Sequence, residues 1–124
     1  MSPSDPRRLL ILDDDALVGM VVESVARLAG VATRVTREAG EFYAAVADWQ
    51  PTHVVLDLTM PATSGEQVLA ELAARGCRAR IIVTSGADFE RLGRATAQAR
   101  ANGLDVAGSL PKPFVAAALR TLLA

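Results

Sequence analysis

The segment Arg8-Leu9-Leu10-Ile11-Leu12-Asp13-Asp14-Asp15 sets an unbroken apolar run directly against three carboxylates. A run of this length with little alternation suits a strand buried on both faces, as in parallel sheets packed between helix layers. His53-Val54-Val55-Leu56-Asp57 repeats the pattern, again closing on a carboxylate. In an open parallel sheet, residues just beyond the carboxyl ends of neighbouring strands converge on one crevice, so Asp13, Asp14 and Asp57 are expected to meet. Two such charges ~4 Å apart repel by about 4 kcal/mol at an effective dielectric of about 20, so the cluster requires a compensating cation. A hard divalent metal is the natural candidate.

Outward from these two strands the chain reads as five βα repeats. Leu17, Met20, Val21, Val25 and Leu28 recur at helical spacing over Ala16 to Ala29, with Asp15 as N-cap and Gly30 as stop. Val31 to Val35 alternates as an outer strand, and Glu38 to Asp48 reads as a second helix that Pro51 prevents from continuing. After the His53 to Leu56 strand, Met60-Pro61 and Ser64-Gly65 mark a loop. Glu66 to Arg75 then carries Val68, Leu69 and Leu72 on one helical face. Arg80 to Ser85 is a fourth strand and Phe89 to Asn102 a fourth helix stopped by Gly103. Val106 to Leu110 is a fifth strand, and Phe114 to Leu123 an amphipathic helix following Pro111-Lys112-Pro113. Strands alternating with helices imply a parallel sheet covered on both faces by right-handed crossovers.

The 124 residues fit one domain over 1–124, with residues 1–6 expected as a disordered tail. No apolar run approaches ~18 residues and the start lacks a signal peptide's regions, so a cytoplasmic protein without membrane attachment is expected. A formal charge of -1 exerts no general pull on nucleic acid. The single cysteine, Cys77, has no companion for a disulfide or a zinc site, and the isolated His53 reads as structural.

Asp13 and Asp14 follow strand one, Asp57 strand three, Ser85 strand four and Lys112 strand five, so all five polar groups are expected on one side. Magnesium favours octahedral oxygen coordination through one or two carboxylates plus a phosphate, which suits Asp14 and Asp57 with Asp13 behind them. Lys112 and Ser85 could then stabilise the oxygens of a transferring phosphoryl group, with Asp57 as a carboxylate acceptor.

These residues resemble the receiver domain of two-component response regulators. The resemblance rests on Leu9 to Asp15, on Val54-Val55-Leu56-Asp57-Leu58-Thr59-Met60-Pro61 with Gly65, on Thr84-Ser85-Gly86, and on Lys112-Pro113-Phe114. It implies a flavodoxin-like doubly wound sheet of order 2-1-3-4-5 and phosphorylation of Asp57. It further implies magnesium, with manganese able to substitute, held by Asp13, Asp14, Asp57 and the backbone carbonyl of Thr59. Lys112 and Ser85 would contact the phosphoryl oxygens, and the Lys112-Pro113 bond would be cis. The implied partners are a histidine kinase or phosphotransfer protein upstream and an output domain or separate protein downstream. Helix four, strand five and helix five would be the signalling face, where a homodimer could also form. Such a domain catalyses only its own phosphorylation and dephosphorylation and is not a free-standing enzyme.

Two features depart from the common receiver pattern. Ser109 occupies the place of the Tyr or Phe that stands three residues before the lysine in many receivers, which puts a ring-flip switch in doubt. The stretch from Ser85 to Lys112 is longer than usual, and its wording from Asp88 to Gly108 looks like receivers fused to cyclic-di-GMP phosphodiesterase (EAL) domains. A haloacid-dehalogenase-type phosphatase, with Asp13 as nucleophile and Asp15 as general acid, is the competing reading. It requires an acidic metal-binding motif after the lysine, and nothing acidic follows Lys112. A third reading, a docking module independent of phosphorylation, leaves the acceptor, metal and lysine positions without a purpose.

Overall fold

The computed structural model describes residues 6–86 and 88–124. The tail expected over residues 1–6 falls, apart from the exposed Pro6, outside the described residues. Five strands alternate with five helices: β1 (Arg8–Leu12), α1 (Ala16–Leu28), β2 (Ala32–Thr36), α2 (Ala39–Trp49), β3 (His53–Asp57), α3 (Gly65–Ala74), β4 (Arg80–Ser85), α4 (Phe89–Ala101), β5 (Asp105–Pro111) and α5 (Ala116–Leu123). The strands form one parallel sheet in the order β2-β1-β3-β4-β5. This is the flavodoxin-like architecture expected from the βα alternation and the resemblance. Among the described residues no helix is long and apolar enough to cross a membrane.

The apolar runs divide by parity, because successive strand side chains point to opposite faces. Leu10, Leu12, Val54, Leu56, Ile81 and Val83 pack with Phe42, Val68, Leu72 and Leu92 from α2, α3 and α4. Leu9, Ile11, Val55 and Ile82 pack with Val22, Ala26, Leu119 and Leu123 from α1 and α5. Both faces of the three central strands are therefore buried, which is why β1 and β3 read as continuous apolar runs.

One expectation needs correction. The face that α1 buries is Gly19, Val22 and Ala26, whereas Leu17, Met20 and Leu28 are 68%, 63% and 89% exposed. Nearly every position of this helix is apolar, so two stripes compete. The small residues win because they let the backbone approach the sheet: a Cβ on Gly19 would lie 3.0 Å from Val35 Cγ1. Thr36 ends β2, ahead of α2. There its buried Oγ1 donates to the Ile11 carbonyl at 2.6 Å.

Loops close the repeats with specific contacts. Asp15 caps α1 by accepting from the Leu17 and Val18 amides. Ser64 and Gln67 form a reciprocal capping box on α3, and the Asp88 carboxylate accepts from the Arg91 amide at the start of α4. These caps fix where α1, α3 and α4 begin, and each helix starts on the side of the sheet where β1, β3 and β4 end.

Candidate functional site

Asp13 follows β1, Asp57 closes β3, Ser85 closes β4 and Lys112 follows β5, so the topology carries all four to the carboxyl edge of the sheet. Asp13, Asp14 and Asp57 each offer a carboxylate oxygen within 4.8 Å of the others. Asp13 and Asp57 are buried, and Asp14 is half-buried at the mouth.

Each buried carboxylate is oriented by a local amide. Asp13 Oδ1 accepts from the Asp15 amide at 2.9 Å, and Asp57 Oδ1 accepts from the Thr59 amide at 3.1 Å. The second oxygen of each turns to Lys112, whose Nζ donates to Asp13 Oδ2 at 2.7 Å and lies 3.5 Å from Asp57 Oδ2. Lys112 is held in turn by its amide, which donates to the Ser85 carbonyl at 2.8 Å, and it precedes a cis bond to Pro113. The Ser85 hydroxyl is buried and has no hydrogen-bond partner among the described residues. Burial pushes the Asp57 carboxyl above the usual carboxylate range, and the neighbouring Asp13 adds to this, against the pull of the Thr59 amide and Lys112.

The loop after Asp57 is unusually close-packed. The Gly65 amide donates to the Leu58 carbonyl at 3.0 Å, and a Cβ on Gly65 would sit 2.5 Å from Leu58 Cα and 2.8 Å from the Asp57 carbonyl. No side chain fits there, which gives the glycine a steric reason. Thr59 is exposed on this loop.

Two residues at the site's margins were not legible in the sequence. Arg37 donates to the Asp14 carbonyl at 3.1 Å. Arg91, from the first turn of α4, reaches the Leu58 carbonyl at 2.8 Å and the Thr59 hydroxyl at 3.4 Å while holding both oxygens of Glu66 at 2.6 and 2.7 Å.

A doubly wound sheet that gathers three carboxylates, a lysine and a serine at its carboxyl edge defines a flavodoxin-like domain with an acidic crevice at its switch point. The chain belongs to the response regulator receiver domain family, whose model matches residues 9–124. Among curated relatives, the response regulator MprA of Mycobacterium sp. (strain KMS) is 31% identical over 121 residues, covering 96% of this chain and 48% of the relative. The chain thus spans about half the length of the curated relatives it matches. Among solved structures, a response regulator from Colwellia psychrerythraea superposes with a TM-score of 0.83 at 27% identity, covering 96% of this chain and 94% of that one. The signal receiver domain of a response regulator from Bermanella marisrubri gives 0.78 at 26% identity, covering 93% and 92%. The haloacid-dehalogenase reading gives way to this membership.

Proposed function

We propose that this domain accepts a phosphoryl group on Asp57 from a phosphohistidine donor, in a magnesium-dependent transfer, and that the resulting charge switches a surface read by an output domain or partner. The observation that carries this reading is the convergence of Asp13, Asp14 and Asp57, the first and last paired with Lys112, beside a buried Ser85 hydroxyl that has no partner among the described residues. The donor set is anionic oxygen throughout, which fits a hard divalent ion with retained waters. Asp14 and Asp57 would hold magnesium or manganese directly, with Asp13 behind them and the Thr59 carbonyl completing the protein donors. When bound, the ion supplies positive charge to offset the carboxylates and the phosphoryl oxygens.

In the transfer, an Asp57 carboxylate oxygen forms the new P–O bond as the P–N bond to the donor imidazole breaks, the nitrogen leaving with the electron pair. Lys112 and Ser85 act on what develops between these bonds. The ammonium offsets charge on one phosphoryl oxygen, and the Ser85 hydroxyl finds in another the acceptor it otherwise lacks. Lys112 thereby exchanges Asp13 for the phosphoryl group, so its resting ion pair keeps it in place. The chemistry serves only the domain's own modification and its reversal.

A donor must approach this edge closely. Leu17 and Val21 of α1 are exposed and line an apolar groove with Val18, Pro113 and Phe114 that runs up to Lys112. A helix of a histidine kinase or phosphotransfer protein laid in that groove would bring its phosphohistidine to the crevice. Downstream, α4, β5 and α5 form the surface to be switched, with a homodimer as one outcome. A cyclic-di-GMP-related output rests on the wording of residues 88–108. The reading places the domain in the cytoplasm.

The test is intact mass after incubation with acetyl phosphate and magnesium, for wild type, Asp57→Asn and Asp13→Asn. A phosphoryl adduct that needs magnesium and is absent from Asp57→Asn is the expected result. An adduct that survives Asp57→Asn and vanishes in Asp13→Asn would overturn it, and so would wild type unmodified by both acetyl phosphate and a phosphorylated histidine donor.

A further inference from the structure

Arg91 joins three parts of the molecule. It stands in the first turn of α4, forks across the Glu66 carboxylate in the first turn of α3 at 2.6 and 2.7 Å, and donates to the Leu58 carbonyl at 2.8 Å. Leu58 directly follows Asp57, and its carbonyl also receives the Gly65 amide. Arg91 therefore ties the backbone next to the acceptor to the start of a helix that lies in the switched face. The guanidinium pulls the Glu66 carboxyl below the usual carboxylate range, and Asp57 contributes to the field that Arg91 feels.

The rest of α4 is lightly held. Its buried residues are Leu92, Ala95, Thr96 and Ala99, of which Leu92 alone is a large apolar side chain. Packing therefore opposes a shift of its first turn mainly at that one leucine. The aromatic link found in many receivers is absent, because Ser109 of β5 is exposed in its place.

We propose that Arg91 is the positioning residue through which the state of Asp57 reaches α4: Glu66 and Leu58 hold it in the resting domain, and the phosphoryl group draws it away from Glu66, moving the first turn of α4. This deepens the phosphoacceptor reading and rests on it. Modification exchanges a single carboxylate charge at Asp57 for a phosphoryl group carrying about -1.5 to -2, which competes with Glu66 for the same guanidinium. Glu66 is thus the restraint and Arg91 the moving part, and the two have opposite consequences when removed.

Amide hydrogen exchange across α4, read on the whole chain with and without the phosphoryl adduct, separates these roles. In wild type the adduct changes exchange in the first turns of α4 by about fivefold or more. Arg91→Ala still gains the adduct by intact mass, yet its α4 exchange changes by less than about twofold. Arg91→Lys behaves like Arg91→Ala, because an ammonium cannot span a carboxylate and a carbonyl as the planar fork does. Glu66→Gln, a conservative change at a half-buried position, shifts resting α4 exchange toward the phosphorylated pattern before any adduct forms. A full α4 response in adduct-bearing Arg91→Ala, or unaltered resting exchange in Glu66→Gln, would overturn the proposal. Wild type that carries the adduct without any α4 response would overturn it too while leaving the phosphoacceptor reading intact. Wild type that takes no adduct would remove both, and intact mass reveals that before any variant is made.

Discussion

Lys112 Nζ lies 2.7 Å from Asp13 Oδ2, a contact that spans 99 positions of sequence and closes the gap between the first and last strands' ends. The ammonium is the cation that the acidic cluster requires when no metal is bound, so lysine and metal compete for the same carboxylates. Lys112→Met should have two opposed effects. Removing one partner of a mostly buried pair lowers stability by about 1–3 kcal/mol, below the fully buried range because Lys112 is partly exposed. Magnesium affinity should rise roughly fivefold or more, since a competing positive charge is gone. Urea unfolding and titration calorimetry report the two quantities separately. Weaker magnesium binding in the variant would show that the lysine assists the metal rather than competing with it.

Gly65→Ala tests the packing beneath the acceptor. The new methyl would meet Leu58 Cα at 2.5 Å and the Asp57 carbonyl at 2.8 Å, and backbone atoms cannot step aside as a side chain can. A loss of about 2–3 kcal/mol is expected from forced overpacking. The strain falls on the segment that carries Asp57 and Thr59, so adduct formation should decline more than the loss of stability explains. Denaturant midpoints and initial rates of adduct formation, compared with an equally destabilising change remote from the site, make the distinction.

How far the sequence could be read follows from which contacts are local. β1, β3 and β4 declare themselves because burial on both faces leaves their central positions apolar, and the Asp13, Asp57 and Ser85 at their ends are then placed by topology alone. The α1 face was misread because Leu17, Met20 and Leu28 are as apolar as the residues that pack. Glu23, Ser24 and Arg27 were the better guide, since they share the outer stripe with Met20 and mark it as solvent-facing. Arg91 was invisible because its role depends on Leu58 and Glu66 across a loop, and nothing about an arginine in a helix's first turn announces a partner 33 positions earlier. The lysine was legible only through the resemblance and the strand order, as its partner stands at the other end of the chain.

His53, the chain's single histidine, makes stability depend on pH in a defined direction. Its Nδ1 pairs with the Thr52 hydroxyl at 2.8 Å, while its buried Nε2 has no partner among the described residues. Burial, reinforced by Arg80 and Arg7, holds its pKa below the ordinary histidine value of 6.5. The unfolded chain therefore binds the proton more readily than the folded one. The contribution of neutral His53 is fully present above about pH 6.5, where the unfolded histidine is neutral, and is lost as pH falls toward the folded value. Asp57, with its raised pKa, acts in the opposite sense at lower pH, so the histidine must be isolated by difference. Wild type should lose stability relative to His53→Gln between about pH 7.5 and 5.5, with the gap read from urea midpoints at each pH. Parallel curves would mean that the ring is as easily protonated in the folded domain as in the unfolded chain.

Ser85 separates a structural hydroxyl from a functional one. A buried hydroxyl without a partner lowers stability, because its desolvation is not repaid by a hydrogen bond. In the resting domain Ser85 Oγ is in that position, with the side chain enclosed at the end of β4. Ser85→Ala removes the unsatisfied group and leaves little space, so resting stability should hold or rise by up to about 1 kcal/mol. Once Asp57 is modified the balance reverses, because the wild-type hydroxyl gains a charged oxygen to donate to and the alanine does not. Hydrogen bonds to charged groups contribute about 1.5–3 kcal/mol, so the modification that stabilises wild type should stabilise Ser85→Ala by that much less. Thermal unfolding of both proteins with and without the adduct yields the four values needed, and Ser85→Thr should restore the difference if its methyl is accommodated. If Ser85→Ala were destabilised at rest and equally responsive to modification, the hydroxyl would be a packing element of β4 and the phosphoryl oxygens would depend on Lys112 and the metal alone.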